Sequence, residues 1–276
     1  MQPSRTRLAT VRTAQRPGQA QTEDRIFCTP SAVIVLDGAS RPDENRPSGG
    51  WLAETLGREL QHRLCGRPTA DLTAVLTEAI SAVAKTHQLT PGAAPSTTVS
   101  IVQWYDDQVH ILVLGDSPVV ALHLDGTTSH VRDDRLQRVA QHERNSLQSA
   151  PGFACEHQGK WQSLVAAEHS HRNRPGGYWI AEAVPTAATH AIRKRWHMNE
   201  VAAVMAMTDG VSVGIDRYGT PPGWTDAFAV ALDDPRRLVD LVHSAEEDDP
   251  DGRCWPRSKR HDDKALALVE LAPHPL

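Results

Sequence analysis

The sequence predicts an α+β layered fold, and three observations carry that expectation. Short apolar runs of strand length recur at 32–36, 97–104, 109–114, 119–124, 201–207 and 265–271. Two leucine- and alanine-faced stretches of helical period lie between the first run and the second. Further helical stretches precede the last run, so strands and helices are grouped rather than strictly alternating.

In chain order, residues 1–20 are polar, and 8–12 reads as an edge strand. Residues 32–36 (Ala-Val-Ile-Val-Leu) are continuous and β-branched, which marks a buried strand. Residues 39–50 hold Pro42, Pro47, Gly49 and Gly50 and form a loop. Leu52, Leu56, Leu60 and Leu64 step by four along a helix that Gly66 and Pro68 stop. Leu72, Val75, Leu76, Ala79, Ile80, Val83 and Ala84 line one face of a second helix, broken by 91–95. The runs 97–104, 109–114 and 119–124 are joined by Asp106-Asp107-Gln108 and Asp116-Ser117-Pro118, which is turn chemistry, so they predict an antiparallel meander. A helix fits 134–147, and the rest of 132–176 has no readable pattern. Residues 178–180 open a strand, 201–207 is a buried strand, and 221–232 and 235–245 are helical, with Leu238, Leu241 and Val242 facing inward. Residues 246–252 read as a solvated acidic turn, and 265–271 closes the chain as a strand. With no internal repeat and no linker, 1–276 reads as one domain.

Composition narrows the function. Lys and Arg number 29 against 34 Asp and Glu, a formal charge of −5, which argues against nucleic acid as a partner. No run approaches the ~20 apolar residues of a membrane span, and the N-terminus leads into no signal-type apolar region. Cys28, Cys65, Cys155 and Cys254 form no CxxC pair, so a reduced, cytoplasmic setting is the expectation.

Five acidic motifs carry the chemistry: Thr22-Glu23-Asp24-Arg25, Leu36-Asp37-Gly38, Leu114-Gly115-Asp116-Ser117, Thr208-Asp209-Gly210 and His261-Asp262-Asp263. Four of them abut a buried-strand run. A carboxylate there is costly unless it is paired or bound to a cation. Several such strand ends brought together make an oxygen-rich cage of the kind Mg²⁺ or Mn²⁺ selects. One Asp-Gly alone is equally an ordinary turn.

The order of these motifs resembles the metal-dependent Ser/Thr protein phosphatases of type 2C, over about residues 8–271. Glu23-Asp24 stands where that family has its early Glu-Asp. Asp37-Gly38 and Asp209-Gly210 match its two Asp-Gly pairs, Ser96-Thr97-Thr98 its Gly-Ser-Thr, Gly115-Asp116-Ser117 its Gly-Asp-Ser, and Asp262-Asp263 its final Asp-Asn. The resemblance implies a four-layer α-β-β-α sandwich with two mainly antiparallel sheets flanked by helices. It implies two cations, Mn²⁺ or Mg²⁺, with Asp37 bridging, the Gly38 carbonyl on one, and Asp209 and Asp262 on the second. Glu23 and Asp24 would act through water, or else be surface charges, and Asp116 would hold a third, weaker cation or simply form a turn. Asp37, Asp209 and Asp262 would carry catalysis by a metal-activated water that removes phosphate from phosphoserine or phosphothreonine in a protein, within signalling paired with a Ser/Thr kinase.

Four departures and spare features qualify that expectation. Gln19 stands where the family commonly has a phosphate-gripping Arg, with Arg16 and Arg25 as candidates to replace it. This opens two alternatives, a catalytically weak phosphoprotein-binding relative and a small-metabolite phosphatase. Ala39 follows the first Asp-Gly, where some members have a His. His169-Ser170-His171 is too slight for a metal site and reads as solvated loop, and 172–179 is either a flap over the site or a strand entry with Trp179 in the core.

Overall fold

The computed structural model describes residues 9–39, 47–149, 152–153 and 155–271. Residues 1–8 and 40–46, parts of the expected N-terminal strand and of the loop after Ala39, lie outside the described residues.

The first third of the chain builds a strand pair and two helices. Strand β1 (Ala9–Arg16) is followed by β2 (Arg25–Thr29) and the fully buried β3 (Ala32–Leu36). Helix α1 (Gly49–Gly66) starts on Ser48, whose hydroxyl accepts from Trp51 N at 3.1 Å, and it buries the four leucines spaced by four. Helix α2 (Leu72–Thr86) starts likewise on Asp71 and buries the expected face. Next come β4 (Val99–Tyr105) and β5 (Gln108–Leu114), a hairpin whose turn residues Asp106 and Asp107 both have positive φ, as a two-residue type I′ turn requires. Then follow β6 (Val119–His123), β7 (Thr128–Val131), α3 (Arg135–Arg138), α4 (Gln141–Gln148) and α5 (Cys155–His171). The last third holds β8 (Ile192–His197), β9 (Val201–Met207), α6 (Asp209–Asp216), α7 (Trp224–Asp233), α8 (Pro235–Asp248) and β10 (Lys264–Leu271).

The strands form two five-stranded antiparallel sheets, ordered β1-β10-β9-β6-β7 and β2-β3-β4-β5-β8. Three cores stack between the layers. Leu36, Ile101 and Leu112 pack on the leucines of α1 and α2. Val33, Val102, Val113, Val204 and Ala267 meet between the sheets. Met205, Leu266 and Leu268 pack on Phe228 and Leu238 of α7 and α8. Helix, sheet, sheet and helix are therefore four layers, as the resemblance implied.

The registers bring six strand termini to two neighbouring sheet edges. Val99 lies opposite Leu114, so the start of β4 brings the ends of β3 and β5 to one edge. Leu266 lies opposite Met207, and Val119 opposite Ala206, so the end of β9 and the starts of β10 and β6 share an edge of the other sheet. Residues 115–118 link these two edges.

That link corrects the expected meander: β6 pairs with β7 and β9 in the other sheet, not with β5. Both strands still face one core, which is why their apolar patterns look continuous. The single helix expected over 134–147 is two, split at Ala140 with φ 53°. Residues 178–180 make only an isolated bridge, from Tyr178 to Arg172. Leu241 is exposed, because the inner face of α8 is formed by Leu238, Val239 and Val242 among others, and Leu241 falls outside it. Residues 246–252 are not a solvated turn. Glu246 and Asp249 are buried and paired with Lys264 and Arg257. Among the described residues, no helix is long and apolar enough to cross a membrane.

Candidate metal centre

Asp37 leaves the end of β3, and two threonines fix its backbone. Its N–H donates to Thr98 Oγ1 at 3.0 Å, and its carbonyl accepts from Thr98 N at 2.9 Å and Thr97 Oγ1 at 2.8 Å. Thr98 Oγ1 in turn lies 2.6 Å from Ser117 Oγ, tying the Asp37 turn to the Asp116 turn. Gly38 lies against the start of α1: a Cβ there would sit 2.4 Å from the Gly50 nitrogen.

From the other sheet, Thr208 closes β9, and Asp209 is the first residue of α6. Thr208 Oγ1 donates to Asp24 Oδ2 at 2.7 Å and accepts from Ala265 N at 3.0 Å, so one hydroxyl joins the β1–β2 loop, β9 and β10. Glu23 Oε1 accepts from Gly50 N at 3.3 Å, at the N-terminus of α1, where a carboxylate is favoured. Asp262 precedes β10; its Oδ1 accepts from Lys259 Nζ at 2.8 Å and from Asp263 N at 3.0 Å.

The carboxyl groups repel one another. Burial, then Asp24, Asp209 and Asp262, raise the Asp37 carboxyl far above the ordinary range. Burial, then Asp262 and Asp116, push Asp209 up to about 7, while a hydrogen bond with Asp37 acts the other way. Burial raises Asp24 despite the Thr208 bond, and Asp262, Asp263 and Asp209 add to it. Asp116 is pushed to about 6 by burial, Glu168 and Asp133. Burial would raise Asp262 too, but Lys259 holds it low. Buried carboxylates this close are relieved by taking up protons or by binding cations, and an all-oxygen donor set matches Mg²⁺ or Mn²⁺ rather than a thiol- or imidazole-seeking metal. The residues therefore fit the implied metals.

A cleft of about 260 Å³ opens on this cluster, lined by Asp116, Arg144, Asp209, Arg217, Lys259 and Asp262 among others. Its wall joins the expected helical stretch 134–147 to α5, which had no readable pattern: Arg144 of α4 pairs with Glu168 of α5 at 2.6 Å. Gln19 is exposed. Neither candidate replacement lines the cleft; Arg16 pairs with Asp240 at 2.7 Å and Arg25 with Glu54 at 2.8 Å. The cations lining the cleft are Arg144, Arg217, Arg257 and Lys259, none of which sequence motifs single out. In the 172–179 stretch, Arg172 is buried against Glu182 at 3.1 Å and donates to Ser96 Oγ at 2.9 Å, while Trp179 stacks on His190 at 3.5 Å. This stretch is packing rather than a flap. His169 and His171 end α5 rather than lying in a loop, and His169 Nε2 lies 2.9 Å from the Gly92 carbonyl.

Of the seven sequence-selected positions, Asp116, Asp209 and Asp262 line the cleft, Asp24 and Asp37 interact electrostatically with Asp209 and Asp262, and Glu23 and Gly38 lie against the N-terminus of α1. Thr98, Thr208, Lys259 and Asp263 join them as residues that hold or balance the acids.

Solved structures share this architecture. The catalytic domain of the serine/threonine protein phosphatase PstP, in complex with two manganese ions, aligns with a TM-score of 0.56 at 16% identity, over 96% of this chain and 99% of that one. The PPM Ser-Thr phosphatase MsPP from Mycobacterium smegmatis, in complex with cacodylate, aligns at 0.58 and 16%, over 97% and 99%. A bacterial serine phosphatase aligns at 0.61 and 11%, over 98% and 100%. Identities this low speak for the fold alone. No curated protein sequence matches the chain significantly. The protein phosphatase 2C family model matches residues 18–242, which spans all but the last of the acidic turns described above. A match over most of the chain places this protein in the protein phosphatase 2C family.

Proposed function

We propose that this chain is a divalent-cation-dependent phosphomonoesterase acting on phosphoserine or phosphothreonine in proteins, in partnership with a Ser/Thr kinase. The observation that carries the reading is the convergence of Asp24, Asp37, Asp209 and Asp262, from four separate segments, into one mutually repelling cluster, of which Asp209 and Asp262 line a cleft whose wall bears Arg144 and Arg217. Mn²⁺ or Mg²⁺ bound there supplies charge neutralisation on the phosphate and acidification of a water molecule. Asp37, the Gly38 carbonyl, Asp209 and Asp262 would hold two cations, Glu23 and Asp24 would orient water around them, and Asp116 would hold a third, weaker one.

The chain's own groups do the rest. Thr97 and Thr98 fix the direction of Asp37 through its backbone. Thr208 keeps Asp24 oriented. Arg144 and Arg217 place positive charge where a phosphate dianion enters, the task that Gln19 cannot perform. Hydrolysis of para-nitrophenyl phosphate and of a phosphothreonine peptide, with Mn²⁺, with Mg²⁺ and with EDTA, tests the reading. Turnover should need the metal and should vanish in Asp37→Asn and Asp209→Asn. Turnover of para-nitrophenyl phosphate alone would favour a small-metabolite phosphatase. Exposed Gln19 favours the other reading, a phosphoprotein-binding relative, and a folded, Mn²⁺-loaded protein without turnover would select it.

A further inference from the structure

The acidic cluster already contains a cation of its own. The ammonium of Lys259 lies 2.8 Å from Asp262 Oδ1, on a side chain only 26% exposed. That oxygen also accepts from Asp263 N at 3.0 Å. Two donors on one carboxylate oxygen leave little electron density for a third partner. A divalent cation that uses this oxygen must therefore displace the ammonium or bind beside it against its charge.

Lys259 is not a loose surface lysine that happens to fall inward. Its loop, between α8 and β10, is pinned two residues earlier. Asp249 accepts from the backbone N–H groups of Arg253, Cys254 and Trp255 at 2.8, 3.2 and 3.0 Å. Arg257 returns to the same carboxylate at 2.9 Å and to the Glu246 carbonyl at 3.1 Å. On the far side, Lys264 Nζ holds the Asp262 carbonyl at 2.9 Å. With both ends of the segment 257–264 fixed, the Lys259 stem has a defined starting point and a buried route to Asp262.

We infer that Lys259 is a built-in competitor for the cation held by Asp209 and Asp262, so that the two cations of the proposed phosphatase bind with unequal affinity. The inference rests on the metal-dependent reading above. The cation nearer Asp37 and Gly38 binds first, because Lys259 reaches Asp37 only through its charge and hydrogen-bonds Asp262 directly. The second displaces the ammonium from Asp262 and binds weakly in consequence. In metal-poor conditions, Lys259 balances the charge of the cluster and keeps the loop in place.

Calorimetric titration of the metal-free full chain with Mn²⁺ tests this without reference to turnover. The wild type should show two steps. Lys259→Met, which keeps the stem and removes the charge, should tighten the weaker step on the order of 10- to 100-fold, the size expected for removing one unit charge a few ångströms from a divalent ion near the surface. Lys259→Arg should leave the two steps unequal. Equal steps in the wild type, or a weaker step unmoved by Lys259→Met, would overturn the inference while leaving metal binding intact. Absence of any Mn²⁺ binding in the wild type would overturn the metal-dependent reading itself, and this inference with it. Should Lys259→Met not fold, the wild type alone decides. Acylation of Lys259 by an amine-reactive ester, followed by mass spectrometry, should rise several-fold across the second Mn²⁺ step as its carboxylate partner is taken. Labelling that stays flat across that step would count against displacement.

Discussion

Asp263 shows how a single carboxylate beside the metal centre can be structural. Its Oδ1 accepts from Gly18 N at 2.8 Å and its Oδ2 from Glu23 N at 2.7 Å, which straps the loop bearing Glu23 and Asp24 onto the start of β10. Asp263→Asn keeps one acceptor and should cost about 1 kcal/mol in urea unfolding, and Asp263→Ala, which leaves two amides unpartnered, about 2–3 kcal/mol. Equal costs for the two variants would refute the strap. His243 gives a second residue-scale prediction. Burial, then Lys264, Arg16 and His261, push its imidazole down to about 4, against only Glu247 pulling up; Glu246 sits in the same cluster but is neutralised by Lys264. Between the ordinary 6.5 and about 4, the unfolded chain binds more protons here than the folded one. This contribution is therefore intact above pH 6.5 and is lost as pH falls toward 4. The urea-midpoint difference between wild type and His243→Gln should shift against the wild type from pH 7 to pH 4.5, and an unchanged difference would exclude the effect. Of the site residues, the Asp-Gly aspartates could be read from sequence because each sits at the end of a visible apolar run. Thr208 could not, since its partner Asp24 lies 184 residues away, and nothing local distinguishes Lys259 from a surface lysine.

Helices and strands meet the site through close backbone approaches, and glycine makes one of them. A Cβ on Gly38 would lie 2.4 Å from both the Gly49 carbonyl carbon and the Gly50 nitrogen, and backbone cannot swing aside. Gly38→Ala should cost about 2–3 kcal/mol and lower turnover by tilting α1 away from Glu23. Gly66→Ala, with nothing within 4 Å, serves as the control and should be neutral or slightly stabilising in the same thermal melt. Should both substitutions behave alike, the close approach would not be what constrains position 38. The same contrast explains which elements were legible. α1 and α2 each bury one continuous face, so their leucines repeat at helical spacing. β8 is an edge strand, Ile192-Arg193-Lys194-Arg195-Trp196-His197, with only Trp196 buried, and an edge strand rich in charge carries no apolar alternation to detect. The turn Asp116-Ser117-Pro118 announces a reversal but not which sheet receives the next strand, so β6 was expected beside β5 and lies across the core from it.

At the scale of the whole molecule, the acidic cluster is a seam between the sheets, and the repulsion that suits it to the proposed cations should weaken the fold without them. Asp37 and Asp116 come from the end of one sheet, Asp209 and Asp262 from the other, and only the family resemblance, not the run of apolar segments, implied that two sheets would face each other here. Cations that bind only the folded chain should stabilise it by about 2.7 kcal/mol at a hundred times their Kd, a rise in Tm of roughly 5–10 °C for a chain of this size. Asp209→Asn removes one of the mutually repelling carboxylates, so without metal it should be more stable than the wild type by about 1 kcal/mol, as substitutions at strained functional sites often are. On the proposed function it also removes a metal ligand, so Mn²⁺ should raise its Tm far less. The two melting curves should therefore exchange order: the variant melts higher in EDTA, the wild type higher in Mn²⁺. A variant that melts lower in both conditions would mean that Asp209 is held by the fold rather than opposed by it, and the picture of a cluster kept under charge strain for its cations would have to be abandoned.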